Sequence, residues 1–455
     1  MKVAFVGAGS LGFTRKLVMD LLTVPEFADT EFSLMDIDAD RLGKVGNLCK
    51  RIVKANKLPA KVTFTTSRKR ALDGADYVFC VARVGGLEAF RKDIEIPLKY
   101  GVDQCVGDTL CVGGVFYAQR TIPVLLGIAE DMRRVCPGAL LISHTNPMAM
   151  NSWAVFKYGG VRYVGLCHGV EGGARKIAAA LGIPKEELDF ICVGINHQTW
   201  YTQVKHKGKD MRPKLLAAFE KDPEMKKTEP VRIEILRRFG YFSTESNGHL
   251  SEYVPWFRKR KREIKRWIGP NSWINGETGG YLRVCTEMAD SFDKEYERLT
   301  SEEMPRIEPA RRSGEHGRGI IEGLELNRRY RGYFNVWNNG IVPNLPECCV
   351  EVPGIVDTHG IQPLHTGPLP IQCAALLKKS IAVQELAVEG AVTGNRDLVK
   401  QAVALDPLCG AVCNLEEIWA MCDEMFDELA AWLPQFRRPR GRGPAKRKTA
   451  RRRKK

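Results

Sequence analysis

The first twenty-two residues constrain the fold more than any other stretch. Lys2-Val3-Ala4-Phe5-Val6 is a short apolar run of β formers, and Gly7-Ala8-Gly9-Ser10-Leu11-Gly12 follows it at once. Phe13 to Leu22 then places Leu17, Val18, Leu21 and Leu22 on one helix face. Strand, G-x-G-x-x-G and helix in that order form the dinucleotide fingerprint. Its glycines allow the tight turn and let a pyrophosphate approach the backbone at the helix N-terminus. Gly7, Gly9, Ser10, Leu11 and Gly12 are therefore the candidate cofactor loop. A second strand, Glu31 to Met35, ends in Asp36-Ile37-Asp38. Asp36 or Asp38 is placed to accept from the ribose hydroxyls and to disfavour the extra phosphate of NADP. The alternative for this pair is two solvated turn aspartates.

Further β-like runs lie at 62–64, 77–81, 139–143 and 163–166, with helical stretches such as Thr121 to Arg134 between them. Strands alternating with helices predict a parallel, doubly wound sheet. Ligands of such sheets lie at the carboxyl ends of strands, where Asn146, Cys167 and the Arg83-Val84-Gly85-Gly86 turn would sit. Beyond about residue 195 the pattern changes: 205–266 is charged and largely helical. Residues 335–370 are rich in Pro, Gly and Asn and read as loops and short strands, with 347–353 near a subunit interface. Residues 371–425 return to helical periodicity. The fold class expected is α/β, a Rossmann-like doubly wound sheet followed by an α+β substrate and oligomerisation domain. The divisions are 1–194 for the cofactor, 195–436 for substrate and catalysis, and a disordered basic tail at 437–455.

The formal charge of +15 points at first to nucleic acid, but its distribution does not. Twelve Lys or Arg and no acid fall between Arg437 and Lys455, which leaves +3 for residues 1–436. The tail gives at most nonspecific phosphate contacts, and a solvated extension is the simpler reading. Fourteen cysteines without a C-x-x-C pair predict a reduced, cytoplasmic chain with no disulfide framework. No apolar run reads as a membrane span or a secretory signal.

Gly165-Leu166-Cys167-His168-Gly169 and Gly194-Ile195-Asn196-His197 offer sulfur and imidazole donors among glycines. Such donors suit a borderline-soft divalent metal, and two protein ligands would leave room for substrate and water. The alternative is a buried thiol and a satisfied core histidine. Four more clusters carry polar residues in unusual settings. They are Gly107-Asp108-Thr109 with Gly113-Gly114; His144-Thr145-Asn146-Pro147; Arg91 before Asp93-Ile94-Glu95-Ile96-Pro97; and Ser243 to Tyr253.

With Arg-Val-Gly-Gly-Leu-Glu at 83–88 and Val-Pro-Asn-Leu-Pro at 342–346, these motifs resemble glycoside hydrolase family 4 from Met1 to about Trp432. Cys-His at 167–168 is similar to the branch of α-galactosidases (melibiases), α-glucosidases and α-galacturonidases. The resemblance implies a glycosidase that uses NAD and Mn2+, an exception to the two-carboxylate scheme. In that chemistry C3 of the sugar is oxidised by hydride transfer to NAD+, C2 is deprotonated, the aglycone is eliminated, water adds and the hydride returns. It further implies Cys167 and His197 as metal ligands, His168 as general acid and Tyr253 as the base at C2. Asp108 would strengthen that base, and Asn146 and Arg91 would contact substrate. His249 and Glu252 are rivals near Tyr253. A small-molecule glycoside and a homodimer or homotetramer are the implied partners. Cys111-Val112 departs from the family's glycine–proline pair. A plain NAD-dependent 2-hydroxy acid dehydrogenase is the enzyme rival, and a binding protein working through its tail the nonenzymatic one.

Overall fold

The computed structural model describes residues 1–269 and 272–437, so all of the basic tail except Arg437 lies outside the described residues. Six strands come from the first half: β1 (Lys2–Val6), β2 (Glu31–Met35), β3 (Lys61–Thr65), β4 (Tyr77–Cys80), β5 (Leu140–Ser143) and β6 (Arg162–Gly165). They pair in parallel in the order β3-β2-β1-β4-β5-β6, which is the doubly wound order of dinucleotide-binding sheets. Each of β1, β2, β4 and β5 is apolar and buried along nearly its whole length because helices cover both faces.

The second half extends this sheet. It adds β7 (Leu188–Ile195), β8 (Gln198–His206), β9 (Lys209–Asp210), β10 (Tyr330–Trp337), β11 (Cys349–Asp357) and β12 (Gly360–Pro363). β10 and β11 form a long antiparallel pair that inserts between β6 and β7. Gly165 pairs with Asn335, Asn335 with Glu351, and Glu351 with Gly194, so one row of residues crosses the junction. Beyond Gly165 and Gly194 the chain leaves the sheet, and these two exits carry Cys167 and His197. The seam between the parallel and antiparallel parts therefore positions the site.

Two sequence expectations are corrected here. Residues 347–353 are not a loop throughout: Cys349 to Pro353 lie within β11 and are buried. The helix expected at 121–134 runs from Cys111 to Val135, and it is long and apolar enough to cross a membrane by length and composition. Of its most apolar window, 78% is buried inside the fold. It packs against the helix Ile371–Thr393, and a helix enclosed on all sides is apolar on all sides.

Candidate active site

The cofactor loop has the shape its glycines require. Gly7 sits at φ 90° between β1 and Gly9, and a Cβ there would lie 2.7 Å from the Ala82 backbone. The Gly9 N–H donates to Asp36 Oδ2 at 2.8 Å, while a Cβ on Gly12 would meet nothing within 4 Å. That open backbone at the start of the helix Phe13–Leu22 is where a phosphate can approach. Ser10 Oγ accepts from Phe13 N at 3.1 Å, and the Leu11 side chain is buried in the core. The two aspartates divide their work. Asp36 holds the loop, whereas Asp38 caps the helix Ala39–Ala55 by accepting from Asp40 N and Arg41 N. Both of these bonds are accepted by Asp38 Oδ1.

Cys167, His197 and Glu245 each present a donor atom within 4.8 Å of the others, and Asp108, His197 and His249 form a second such group. A chain of hydrogen bonds fixes the His197 ring. Thr109 Oγ1 donates to Asp108 Oδ1 at 2.7 Å and so must accept from His197 Nδ1 at 2.8 Å. Nδ1 then carries the proton, and the Nε2 lone pair is free for a metal. Asn146 Nδ2 donates to the other Asp108 oxygen at 2.8 Å, which ties Asn146 into the same chain. The Cys111-Val112 departure keeps this loop intact. Cys111 takes the left-handed backbone, φ 59°, that glycine favours, and its N–H donates to Asp406 Oδ2 at 3.0 Å.

The helix Asn247–Tyr253 brings three more groups. Glu252 accepts from the N–H groups of Cys105, Val106 and Gly107, so it anchors the segment leading to Asp108. Burial pushes its carboxyl up to about 7. His249 packs edge-on to His197 with ring centroids 4.9 Å apart, and burial pushes it down to about 4. The Tyr253 hydroxyl is buried and makes no well-formed hydrogen bond among the described residues, with the Thr109 side chain nearby. Burial, then the Glu252 and Asp108 carboxylates, drive it well above the usual phenol range. Glu245 behaves oppositely: burial works against its charge, yet His249, His197, His168 and Arg232 hold it below the usual carboxyl range.

The structure does not gather every expected residue. Arg91 lies on the solvent face of the helix Gly86–Lys99, where it pairs with Glu95 at 3.3 Å. It is an i,i+4 surface pair and reaches none of the clustered groups. The His168 side chain is 65% exposed, with Nδ1 3.7 Å from Glu315 Oε1. It borders a cavity of about 430 Å³ that Glu171, Arg175, Arg312 and Tyr330 also line. Arg83 stacks on Phe90 at 4.3 Å, with Tyr117 and Tyr281 at 5.4 Å, and one terminal nitrogen is buried with no partner among the described residues. Sequence reasoning placed the Arg83 turn and the Asp108-Thr109 motif near the site but gave Arg83, Thr109 and Glu245 no individual role. For Glu245 the signal was its place in the polar run 243–253.

Two further buried imidazoles set a pH dependence. Burial pushes His144 down to about 3 and His316 down to about 4 from 6.5, so both are neutral in the fold. As pH falls below about 6.5 the unfolded chain takes up these protons and the folded chain does not. Stability is therefore lost on acidification, by about 1.4 kcal/mol per pH unit for each imidazole well inside the window. Thermal unfolding should show a falling Tm from pH 6.5 to pH 5. His316→Gln should make that fall shallower by about one proton's contribution. An unchanged slope would mean that His316 is charged in the fold.

Residues 2–183 match the model of family 4 glycosyl hydrolases, and residues 192–409 match that of the family 4 glycosyl hydrolase C-terminal domain. The chain is 53% identical over 438 residues to an alpha-galactosidase of Rhizobium meliloti (strain 1021), covering 96% of this chain and 89% of the relative. It is 34% identical over 438 residues to an alpha-galactosidase of Bacillus subtilis (strain 168), covering 96% and 100%. Among solved structures, the 6-phospho-beta glucosidase of Thermotoga maritima with manganese, NAD+ and glucose-6-phosphate shares the fold. The TM-score is 0.77 at 22% identity, over 95% of this chain and 99% of that one. Kinship that runs through both halves, and not the dinucleotide fold alone, decides the matter: the chain belongs to glycosyl hydrolase family 4.

Proposed function

We propose that the protein hydrolyses α-galactosides with the help of NAD and a divalent metal, Mn2+ in the first instance. The observation that carries this reading is the 53% identity, over 96% of the chain, to an alpha-galactosidase. The residues fit both groups. Gly12 leaves open backbone in the loop that Asp36 holds, and Cys167 and His197 converge from the two exits of the sheet seam. When bound, NAD supplies a reversible hydride acceptor and the metal a Lewis acid toward the sugar oxygens.

The protein's own groups do the rest. Asn146 orients the sugar through the Asp108 network. Tyr253 takes the C2 proton, and the Asp108 and Glu252 carboxylates make its phenolate a stronger base. His168, at the rim of the cavity, donates a proton to the leaving oxygen, since imidazole exchanges protons near neutral pH. Residues 1–194 serve the cofactor, 195–436 the substrate, and the working unit is a homodimer or homotetramer.

One observation favours a second reading, an α-galacturonidase: the Arg83 nitrogen with no partner among the described residues offers a buried cation that a C6 carboxylate could meet. One assay separates the two. Purified protein, chelated and desalted, is given p-nitrophenyl α-galactoside or α-galacturonide with and without NAD+ and Mn2+. The galactoside should be cleaved, with kcat/KM rising at least about 100-fold when both are restored. Full activity with both confirmed absent would sink the redox reading, and net NADH accumulation would point to a dehydrogenase. Preference for the galacturonide would transfer the proposal to the second sugar.

A further inference from the structure

We infer that Glu245 is a third protein ligand of the metal that Cys167 and His197 hold, an inference that rests on the metal reading above. Three observations lead to it. The carboxylate converges with the sulfur and imidazole donors within 4.8 Å. Its one polar side-chain partner among the described residues is the Cys167 thiol, 3.6 Å from Oε1. A half-buried carboxylate whose one side-chain hydrogen bond among the described residues is to a thiol has room for a cation on its oxygens. Glu351 comes from β11 and adds a second carboxylate near Cys167.

The surroundings hold Glu245 in place without using its carboxylate. Arg232 Nη1 donates to the Glu245 backbone oxygen at 3.0 Å, and Thr244 Oγ1 pairs with Thr199 Oγ1 at 2.6 Å. Gly169 clears the way: a Cβ there would fall on the Glu245 carboxylate. The glycine after Cys167-His168 therefore has a reason that lies 76 positions along the sequence. Thiolate and carboxylate together supply two negative charges for one divalent ion, with the neutral imidazole as the third donor. Further coordination positions stay open for sugar oxygens, as a catalytic site requires.

The test is equilibrium Mn2+ binding to the full chain after chelation, followed by the loss of the free-ion electron paramagnetic resonance signal. Wild type, Glu245→Gln, Cys167→Ser and Gly169→Ala are compared, with and without NAD+. Wild type should bind one Mn2+. Glu245→Gln should bind it at least about 10- to 100-fold more weakly, a loss comparable with that of Cys167→Ser. Gly169→Ala alters no ligand, so a similar weakening in that variant ties the effect to the position of the carboxylate. It also decides the matter if Glu245→Gln fails to fold. Wild-type affinity in Glu245→Gln, or in a folded Gly169→Ala, overturns the third ligand and leaves Cys167 and His197 standing. Absence of Mn2+ binding by the wild type, with NAD+ present, overturns the metal reading itself.

Discussion

Cys167→Ser should leave the protein folded and lower kcat/KM on its glycoside by about 1,000-fold or more. Cys167 leaves the sheet just past β6, and its sulfur accepts from the Gly169 N–H at 3.4 Å at the head of the helix Gly169–Leu181. Serine is nearly isosteric and keeps that contact, but its hydroxyl does not ionise near neutral pH and is a poor partner for a borderline-soft ion. Lewis-acid polarisation of a sugar oxygen is worth several kcal/mol, and each 1.36 kcal/mol is about tenfold in rate. Without the metal, burial and the Glu351 and Glu245 carboxylates keep the thiol well above its usual range, so binding must expel a proton. Metal affinity of the wild type should accordingly rise with pH, and that of Cys167→Ser should respond less. Steady-state kinetics with saturating Mn2+ and NAD+ measure the main effect. NAD+ should still raise the Tm of the variant. Activity within threefold of wild type would remove Cys167 from the metal site.

The legible part of the fold was the part written in local patterns. The strand Lys2–Val6 and the helix Phe13–Leu22 fall where the apolar spacing puts them, because fingerprint glycines punctuate both ends. The later strands were harder. β11 contains Pro353 and Gly354, which read as loop, yet it is buried in the middle of the sheet. Pro353 is tolerated because β7 reaches β11 only at Glu351 and β12 joins only from Gly354, so the proline falls between the two partners on that side. No pattern in a single sequence announces that β10 and β11 insert between β6 and β7. That long-range pairing is what assembles the site.

The same distinction holds for single residues. Asp108, Asn146 and His197 stood out as polar groups in glycine-rich or proline-bounded turns, and they meet in one hydrogen-bond chain. Asp38 and Arg91 belonged to equally suggestive motifs but do local work, a helix cap and an i,i+4 ion pair. Sequence cannot tell these cases apart, since the difference lies in which way a side chain points. Glu245 shows the converse. Its partners Cys167 and Gly169 are more than seventy positions away, and only the fold brings the carboxylate over the glycine.

Tyr253→Phe should lower kcat by about 100- to 10,000-fold, the range for loss of a positioned general base, while Mn2+ and NAD+ bind as before. The structure makes this substitution unusually clean. The hydroxyl is buried and makes no well-formed hydrogen bond among the described residues, with the Thr109 side chain the one donor near enough to act on it, so its removal should change Tm little. Lost activity then cannot be laid to lost structure. Burial and the nearby Glu252 and Asp108 carboxylates hold the proton on this oxygen at neutral pH, so the isolated protein keeps a phenol there. Positive charge brought to the site lowers that barrier, and the same carboxylates then leave a strongly basic phenolate facing the sugar. Exchange of the C2 hydrogen with solvent deuterium during turnover is the decisive readout, because it reports proton abstraction and not binding. It should occur in the wild type and vanish in Tyr253→Phe. Exchange at the wild-type rate in the variant would move the base to His249, whose ring lies beside His197 and is kept neutral by burial.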